Sequence, residues 1–178
     1  MLSPSDCARI VEAVRHSEAW CEAPLYAAPG SDAVVNPAVR CASLLREKDF
    51  PEEVVPRCAE VRERARSHGD ARARGLEAGE IQLVRYRPGG FFYTHQDAID
   101  APSEWRKRSF VLYLNDDLTG GETAFPGLGV SVAPRTGYAL AFPPFVPHRA
   151  EPVIGGEKFV FTFWLGPRGT ASPCRPRR

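Results

Sequence analysis

The sequence lacks a long apolar run, a secretory signal and an internal repeat, and these absences limit the classes of protein to which it can belong. No stretch approaches the about 20 consecutive apolar residues that a membrane-spanning helix needs. The first residues carry neither the basic segment nor the apolar segment of a signal peptide. We therefore expect a cytoplasmic protein that makes no contact with a membrane.

The sequence is also poor in the features of disulfide-rich and nucleic-acid-binding proteins. Its five cysteines are odd in number and form no C-x-x-C pair, which argues against a disulfide framework and favours reduced thiols. The net charge of +1 gives no general attraction for nucleic acid or anionic lipid. With 178 residues the chain can form one domain around its own core. Nothing in the sequence indicates an oligomeric state.

The first 78 residues predict a mostly helical support. Ser3 can cap a helix that has Pro4 at its first position. Residues 23–37 are rich in Pro, Ala and Gly and predict a long connection. A second helix should begin near Pro51 or Pro56, end at Ser67 and be followed by Gly69. The predicted inward residues are Cys7, Ile10, Val11 and Val14 in the first helix and Val54, Val55, Cys58, Val61 and Ala65 in the second.

Arginines on the outer face of the second helix raise the question of nucleic acid. Glu53 precedes Arg57 by four residues, and Glu60 precedes Arg64 by four, which is the favourable order for ion pairs along a helix. A solvated helix face is therefore favoured over a nucleic-acid surface.

From Gly79 onward the pattern changes to short alternating strands separated by Gly, Pro and Asp. Eight such strands fit a double-stranded β-helix, that is, a jelly-roll or cupin-like barrel. We assign the barrel to residues 79–166 and a disordered basic tail to residues 167–178. The predicted fold is mainly β with flanking N-terminal helices. The predicted strands are residues 80–86, 91–95, 107–114, 122–125, 130–133, 138–142, 147–151 and 158–165.

Three side chains suggest an open metal site. In an extended segment His95 and Asp97 project to the same side, because side chains alternate along a strand. His148 can complete a set of two imidazoles and one carboxylate. Such a set favours Fe(II) and its oxygen chemistry, although zinc with three protein ligands is a chemical rival. Judged alone, a histidine near an aspartate is more often a hydrogen-bonding pair.

Lys158 lies in an apolar strand whose alternation separates two faces. If both faces are covered, its ammonium costs several kcal/mol unless an anion pairs with it. No acidic residue lies nearby on the same face of the strand, although one could arrive from elsewhere, and a dicarboxylate co-substrate would also supply the anion. One face carries Phe159, Phe161, Phe163 and Leu165, and the other carries Lys158, Val160, Thr162 and Trp164.

Several motifs in order resemble the prolyl 4-hydroxylase-like branch of the Fe(II)/2-oxoglutarate dioxygenases. The resemblance covers roughly residues 80–165 and, more loosely, the N-terminal part. The motifs are Tyr86-Arg87-Pro88-Gly89, His95-Gln96-Asp97, Val111-Leu112-Tyr113-Leu114-Asn115, Gly120-Gly121-Glu122-Thr123-Ala124-Phe125-Pro126, and Pro147-His148 with Lys158 ten residues later.

The resemblance implies roles for individual residues. His95, Asp97 and His148 would hold Fe(II), and Lys158 with Tyr113 would bind the far carboxylate of 2-oxoglutarate. Further pocket members would be Tyr86 and Thr162, and the substrate-side candidates are Tyr93, Trp164, Arg87 and Trp105. Many relatives carry Tyr where this chain has Phe92, with Tyr93 beside it. Structural explanations compete with these roles, since Tyr86 and Tyr113 could be ordinary strand aromatics, Thr162 a strand former and Trp164 a core residue.

The implied reaction is hydroxylation of an unactivated C–H bond with 2-oxoglutarate and O2 as co-substrates and ascorbate as reductant. A prolyl or other residue in a protein or peptide is the expected substrate. A free amino acid or a peptide-like natural product is the alternative. A nucleic-acid oxygenase and a non-catalytic metal-binding barrel are less favoured. The loop 98–108, which contains Trp105, is expected to border the substrate entrance.

Overall fold

Strands dominate the part of the chain that the computed structural model describes, residues 1–25, 34–67, 75–99 and 103–169. Within those residues there are two α-helices, and short 3-10 turns lie at Glu47–Asp49 and Pro126–Leu128. The helices are α1 (Pro4–Arg15) and α2 (Val55–Ser67). The strands are β1 (Cys21–Glu22), β2 (Arg40–Cys41), β3 (Ser43–Arg46), β4 (Leu76–Ala78), β5 (Gln82–Tyr86), β6 (Phe91–His95), β7 (Arg108–Tyr113), β8 (Thr119–Gly120), β9 (Thr123–Phe125), β10 (Val130–Val132), β11 (Ala139–Phe142), β12 (His148–Ala150), β13 (Val153–Gly155) and β14 (Lys158–Pro167).

Helix α1 begins as its sequence predicts. The Ser3 hydroxyl accepts a hydrogen bond from the Asp6 backbone N–H at 3.1 Å and so satisfies one of the free donors at the helix start. Pro4 opens the first turn. The predicted inward face is confirmed, since Cys7, Ile10, Val11 and Val14 are all buried.

Helix α2 buries Cys58, Val61 and Ala65 as predicted. The prediction that Val55 points inward is wrong, because its side chain is 48% exposed. Val54, just before the helix, takes the inward position, and the next residue of a helical turn is rotated away by about 100°. Gly69, the expected end of the helix, lies outside the described residues.

All eight predicted strands are present, with ends within two residues of the prediction. The larger sheet has the order β1-β3-β5-β14-β7-β11, and β4 also pairs with β14. The smaller sheet has the order β10-β9-β12-β6-β2, and β8 pairs with β13. Every strand pairing in the described residues is antiparallel. The described residues are therefore mostly β, with two larger sheets, one two-stranded pair and two helices.

Residues 1–78 differ from the predicted, mostly helical support. They contribute β1, β3 and β4 to the larger sheet and β2 to the smaller one. Strand β14 also runs to Pro167, and Arg168 pairs with Glu77 at 3.3 Å, so the predicted tail begins too early. Residues 170–178 of that tail lie outside the described residues. No helix among the described residues combines the length and the apolar character needed to span a membrane.

The larger sheet has a core on each face. On one face, α1 and α2 pack against apolar side chains that include Leu83, Leu112 and Phe161. On the other face, Val84, Tyr113 and Val160 pack with one another and against side chains of the smaller sheet. The alternation predicted for β14 is confirmed, because its phenylalanines face the helices and Val160 faces the smaller sheet. Lys158 is also buried, at 2% exposure.

We expect Phe161→Ala to destabilise the fold by about 3–5 kcal/mol, because the change opens a cavity in the helix-facing core. The Phe161 ring is fully buried and stacks on Phe50 with ring centroids 5.8 Å apart. Urea unfolding followed by circular dichroism measures the effect. Ile154→Ala is the matched control, since Ile154 is 73% exposed and its loss should change stability by less than about 0.5 kcal/mol. Equal stability of the two variants would contradict the assignment of this core.

Candidate metal centre

Two strands of the smaller sheet bring the predicted metal ligands together. His95 ends β6, and His148, which begins β12, lies opposite it in the antiparallel register. Asp97 follows two residues after His95. One ligand atom of each of the three residues lies within 4.8 Å of the other two. His95 Nε2 lies 3.7 Å from Asp97 Oδ1, and His148 Nε2 lies 3.7 Å from Asp97 Oδ2.

Backbone carbonyls fix the orientation of both imidazole rings. His95 Nδ1 donates to the Tyr93 carbonyl at 2.8 Å, and His148 Nδ1 donates to the Val146 carbonyl at 2.9 Å. With the proton on Nδ1, each Nε2 carries a lone pair and lies 3.7 Å from an oxygen of Asp97. Metal-bound histidines commonly have this arrangement, in which the second ring nitrogen donates to a carbonyl and fixes the tautomer.

The surroundings of His95 keep its ring neutral. Burial and the neighbouring His148 lower the pKa of His95 to about 4. The Phe92 ring stacks on the imidazole with centroids 3.6 Å apart. A neutral imidazole has a lone pair free for a cation. Two such nitrogens, one carboxylate and no thiolate form a donor set that fits Fe(II).

Neighbouring groups also hold the Asp97 backbone and carboxylate. Its N–H donates to the Pro144 carbonyl at 2.8 Å, and its own carbonyl accepts from Arg106 Nη1 at 2.7 Å. The Ser109 hydroxyl, which is 1% exposed on β7, donates to Asp97 Oδ2 at 2.6 Å. The larger sheet therefore contributes directly to a centre whose histidines belong to the smaller sheet.

Lys158 is a buried ammonium at the start of β14. Its Nζ donates to the Gly121 carbonyl at 2.7 Å and lies 4.4 Å from the centre of the Tyr86 ring. Burial lowers the pKa of Lys158 to about 8, while the charge of Glu122 acts in the opposite direction. Among the described residues no carboxylate forms a salt bridge with it. A buried cation with neutral partners is a fitting site for an anion.

Two tyrosines share this inner face with Lys158. Tyr113 is 2% exposed and donates from its hydroxyl to Thr123 Oγ1 at 2.8 Å. Burial raises the pKa of Tyr113 to about 12, so its phenol stays protonated and can donate. Burial also raises the pKa of Tyr86, and the nearby Arg40 guanidinium works against that shift. Lys158, Tyr86 and Tyr113 therefore lie on the same inner face of the larger sheet, where the Lys158 ammonium contacts the Tyr86 ring.

The predicted substrate-side residues differ in how far they are exposed. Tyr93 is 58% exposed beside His95, and Trp164 is half-buried with the Arg106 guanidinium 3.9 Å from its ring centre. Trp105 is half-buried too, and its ring lies against the backbone at Gly79 and Gly166.

Arg87 does not join the metal ligands. Its exposed side chain pairs with Glu157 at 3.4 Å, and the same carboxylate binds Arg15 of α1 at 2.7 Å. Thr162 is half-buried on β14, opposite Val111 of β7, on the face of the strand that also carries Lys158.

Sequence reasoning missed three side chains of the site. Ser109 binds the Asp97 carboxylate, Thr123 accepts from Tyr113, and Arg40 of β2 lies over the Phe92 ring at 4.7 Å. Ser109 and Thr123 had a detectable signal, because each is a small polar residue directly before apolar residues of its strand. Arg40 had none, because β2 has only two residues and no periodicity.

Comparison with known proteins agrees with this geometry. A family model described as the 2OG-Fe(II) oxygenase superfamily matches residues 81–166. Prolyl 4-hydroxylase subunit alpha-1 of Gallus gallus is 32% identical over 117 residues, which cover 54% of this chain and 23% of that protein. The Arabidopsis thaliana protein named "Probable prolyl 4-hydroxylase 9" is 31% identical over 147 residues, or 66% of this chain and 46% of that protein. The chain thus spans less than half the length of these curated relatives.

Solved structures share the fold. A Pseudomonas putida prolyl-4-hydroxylase matches with a TM-score of 0.73 at 24% identity, over 94% of this chain and 89% of that chain. A Trichoplax adhaerens prolyl hydroxylase, solved with a peptide fragment of hypoxia inducible factor, matches with a TM-score of 0.75 at 15% identity, over 97% of this chain and 82% of that chain. The grouped ligands, the matched family model and the shared fold confirm the resemblance inferred from the sequence motifs. The chain is therefore similar to the 2OG-Fe(II) oxygenase superfamily and, within it, to the prolyl 4-hydroxylases.

Proposed function

We propose that this protein is an Fe(II)- and 2-oxoglutarate-dependent dioxygenase that hydroxylates an unactivated C–H bond. One observation carries the proposal: His95, Asp97 and His148 converge at one point, and a buried ammonium that has no carboxylate partner among the described residues lies on the inner face of the neighbouring sheet. The first group fits a ferrous ion, and the second fits the far carboxylate of a dicarboxylate co-substrate. We further propose that the two sheets form a double-stranded β-helix, with the metal ligands at its mouth.

His95 Nε2, His148 Nε2 and one carboxylate oxygen of Asp97 would hold Fe(II). Lys158 and Tyr113 would bind the far carboxylate of 2-oxoglutarate, with Tyr86 and Thr162 as further members of that pocket. When bound, the metal and co-substrate would supply O2 activation coupled to decarboxylation of 2-oxoglutarate to succinate and CO2. Ascorbate would serve as the reductant that keeps the iron ferrous.

Groups of the protein itself would orient the ligands, bind the carboxylate and exclude water. A backbone carbonyl accepts from Nδ1 of each imidazole and so orients the ring, which leaves Nε2 available as the metal ligand. The protonated Tyr113 phenol can turn its donated hydrogen bond from Thr123 to an incoming carboxylate. Apolar side chains such as Phe125 and Phe142 surround His148 and limit water around the reacting groups. In such dry surroundings charged contacts are stronger than in water.

The substrate class we propose is a prolyl or other residue in a protein or peptide. The similarity to prolyl 4-hydroxylases supports it, and the similar Trichoplax adhaerens enzyme was solved with a peptide. Tyr93, Trp164 and Trp105 are the side chains we propose at the substrate side. A free amino acid or a peptide-like natural product is the alternative. We propose a cytoplasmic location because the cysteines among the described residues are not joined in disulfides.

The helix arginines give little support to a nucleic-acid substrate. Arg57, Arg62, Arg64 and Arg66 each pair with a carboxylate. Helix α2 also packs on the face of the larger sheet that is turned away from the smaller sheet. If nucleic acid were the substrate, oligonucleotides would bind in a salt-dependent manner.

The first test is succinate formation from 2-oxoglutarate in air with excess Fe(II) and ascorbate. We expect His95→Ala and Asp97→Ala to abolish it, because two protein ligands no longer hold the metal in place. His16→Ala is the matched control, since His16 is exposed at the end of α1 and should leave the rate unchanged. Full activity in either ligand variant would refute the metal assignment. Wild-type protein that binds iron but forms no succinate would favour a non-catalytic metal-binding barrel.

Lys158→Ala should mainly weaken 2-oxoglutarate binding. Removing one member of a buried ion pair commonly costs about 3–5 kcal/mol, which corresponds to an affinity loss of about a hundredfold or more. Isothermal titration of 2-oxoglutarate into anaerobic, Mn(II)-loaded protein measures it. Lys48→Ala, which removes an exposed lysine, should bind like the wild type. An unchanged affinity in Lys158→Ala would count against the proposed pocket.

The affinity for 2-oxoglutarate should also fall as pH rises through about 8. Burial puts the pKa of Lys158 at about 8 in the folded protein, below its ordinary value of 10.5. The unfolded chain therefore holds more protons between these two pH values, and this group makes stability rise with pH across that window. Binding of the dianion needs the ammonium, so its affinity changes in the opposite sense. The same titrations between pH 7 and 9.5 check this, and the affinity of Lys158→Ala should show a much smaller change.

Substrate identity calls for an unbiased experiment. A cell extract incubated in air with the protein, Fe(II), ascorbate and 2-oxoglutarate should contain products heavier by one oxygen atom. We expect these products among peptides or proteins, and peptide mapping by mass spectrometry locates the modified residue. An extract treated with Asp97→Ala is the control. New products confined to free amino acids or small metabolites would favour the alternative substrate class.

A further inference from the structure

Ser109 is the only serine among the described residues that is fully buried, and its hydroxyl contacts the proposed metal ligand Asp97. It lies on β7 with its side chain on the inner face, which it shares with Tyr113. The hydroxyl donates to Asp97 Oδ2 over 2.6 Å, a short distance typical of a hydrogen bond to a charged acceptor. The contact joins residues twelve positions apart and spans from one sheet to the other.

The backbone of Asp97 is already fixed on both sides of its side chain. Its N–H bonds to the Pro144 carbonyl, and its carbonyl accepts from the Arg106 guanidinium. The guanidinium in turn lies over the Trp164 ring at 3.9 Å. What remains free is rotation of the carboxylate about its own side-chain bonds. The Ser109 hydrogen bond limits that rotation.

The two carboxylate oxygens of Asp97 have different surroundings. Oδ1 lies 3.7 Å from His95 Nε2, and Oδ2 lies 3.7 Å from His148 Nε2. Only Oδ2 also accepts the Ser109 hydrogen bond. An oxygen that accepts such a bond is a poorer electron-pair donor, so Oδ1 becomes the better metal ligand.

The number of oxygens that bind matters for the chemistry. An octahedral metal has six positions, of which the two imidazoles, one carboxylate oxygen and a chelating 2-oxoglutarate would take five. One position then stays open for O2. If both oxygens of Asp97 bound the metal, that last position would be filled.

We propose that Ser109 is a positioning residue that keeps Asp97 bound to the metal through Oδ1 alone, and so preserves an open coordination position. This inference rests on the proposed function. The competing explanation is that the Ser109 hydroxyl merely needs a buried partner and that Asp97 happens to supply one. The two explanations differ in what the carboxylate does when the hydroxyl is removed.

The test uses the full chain in three forms: wild type, Ser109→Ala and Ser109→Thr. Each is loaded with Co(II) without oxygen, and infrared difference spectra record the separation between the symmetric and antisymmetric carboxylate stretches. Subtraction of the Asp97→Ala spectrum isolates the bands of Asp97. We expect the wide separation of a carboxylate bound through one oxygen in wild type and Ser109→Thr. Ser109→Ala should show the narrower separation of two-oxygen binding.

A second readout is the affinity for Co(II), measured by titration. Loss of a hydrogen bond to a metal ligand commonly lowers metal affinity by about ten- to a hundredfold, and we expect a loss in this range for Ser109→Ala with recovery in Ser109→Thr. Ser131→Ala removes a serine hydroxyl from exposed β10 and serves as the matched control. Thermal unfolding confirms that each variant is folded. If Ser109→Ala does not fold, the near-isosteric Ser109→Cys, a weak donor, is measured in its place with the same expected change.

An Asp97 band pattern and a Co(II) affinity that stay at wild-type values in the folded Ser109 variant would overturn the inference. A wild-type spectrum that already shows two-oxygen binding would overturn it too. Failure of the proposed function has a different signature, because Asp97→Ala would then bind Co(II) as tightly as the wild type. The experiment thus separates an error about Ser109 from an error about the metal site.

Discussion

The antiparallel register between β6 and β12 is the constraint on which the site depends. It places His148 directly opposite His95, while a bulge shifts the register before Ala150 pairs with Phe92. A slip of one residue would turn one imidazole to the opposite face of the sheet. Bulges beside functional sites commonly re-aim side chains in this way. The distance between the two imidazoles is therefore set by backbone pairing rather than by flexible side chains.

The two faces of β14 have different roles, since one belongs to the apolar core and the other carries the buried Lys158. Its phenylalanines face α1 and α2 and belong to the apolar core, which favours folding through the burial of nonpolar surface. Its other face carries Lys158, whose buried charge opposes folding because its ammonium has exchanged water for the Gly121 carbonyl and the face of the Tyr86 ring. The apolar packing on one face of β14 thus offsets the unfavourable burial of charge on its other face. An anion that pairs with Lys158 would remove much of this cost, so binding of the co-substrate and folding stability should be linked.

The strands with clear alternation were the ones that the sequence could predict. Strand β14 alternates over ten residues and was placed correctly, and the ligands His95, Asp97 and His148 followed from strand geometry together with the family motifs. Strands β1, β2, β8 and the others that were missed have two to four residues, too few to establish a period of two. Val55 was misplaced because successive side chains of a helical turn point about 100° apart, and of the two neighbouring valines only Val54 faces the core. The ion pair between Arg87 and Glu157 could not be predicted, because proximity to a motif does not tell which way a side chain at a strand end turns.

Residues on paired strands are easier to predict than exposed residues near the site. For this reason the reaction class is easier to infer than the substrate. The proposed ligands His95 and His148 and the buried ammonium lie on paired strands, whose positions follow from hydrogen bonding and packing. The residues around the opening are different, since Tyr93 and Phe145 are more than half exposed and Gln96 donates to the Phe145 carbonyl from the metal-ligand segment. Exposed aromatic side chains next to a polar centre can accept many apolar partners and give no single shape to match. Substrate choice therefore depends on loops that packing does not specify, as is common for sites built on a rigid β scaffold.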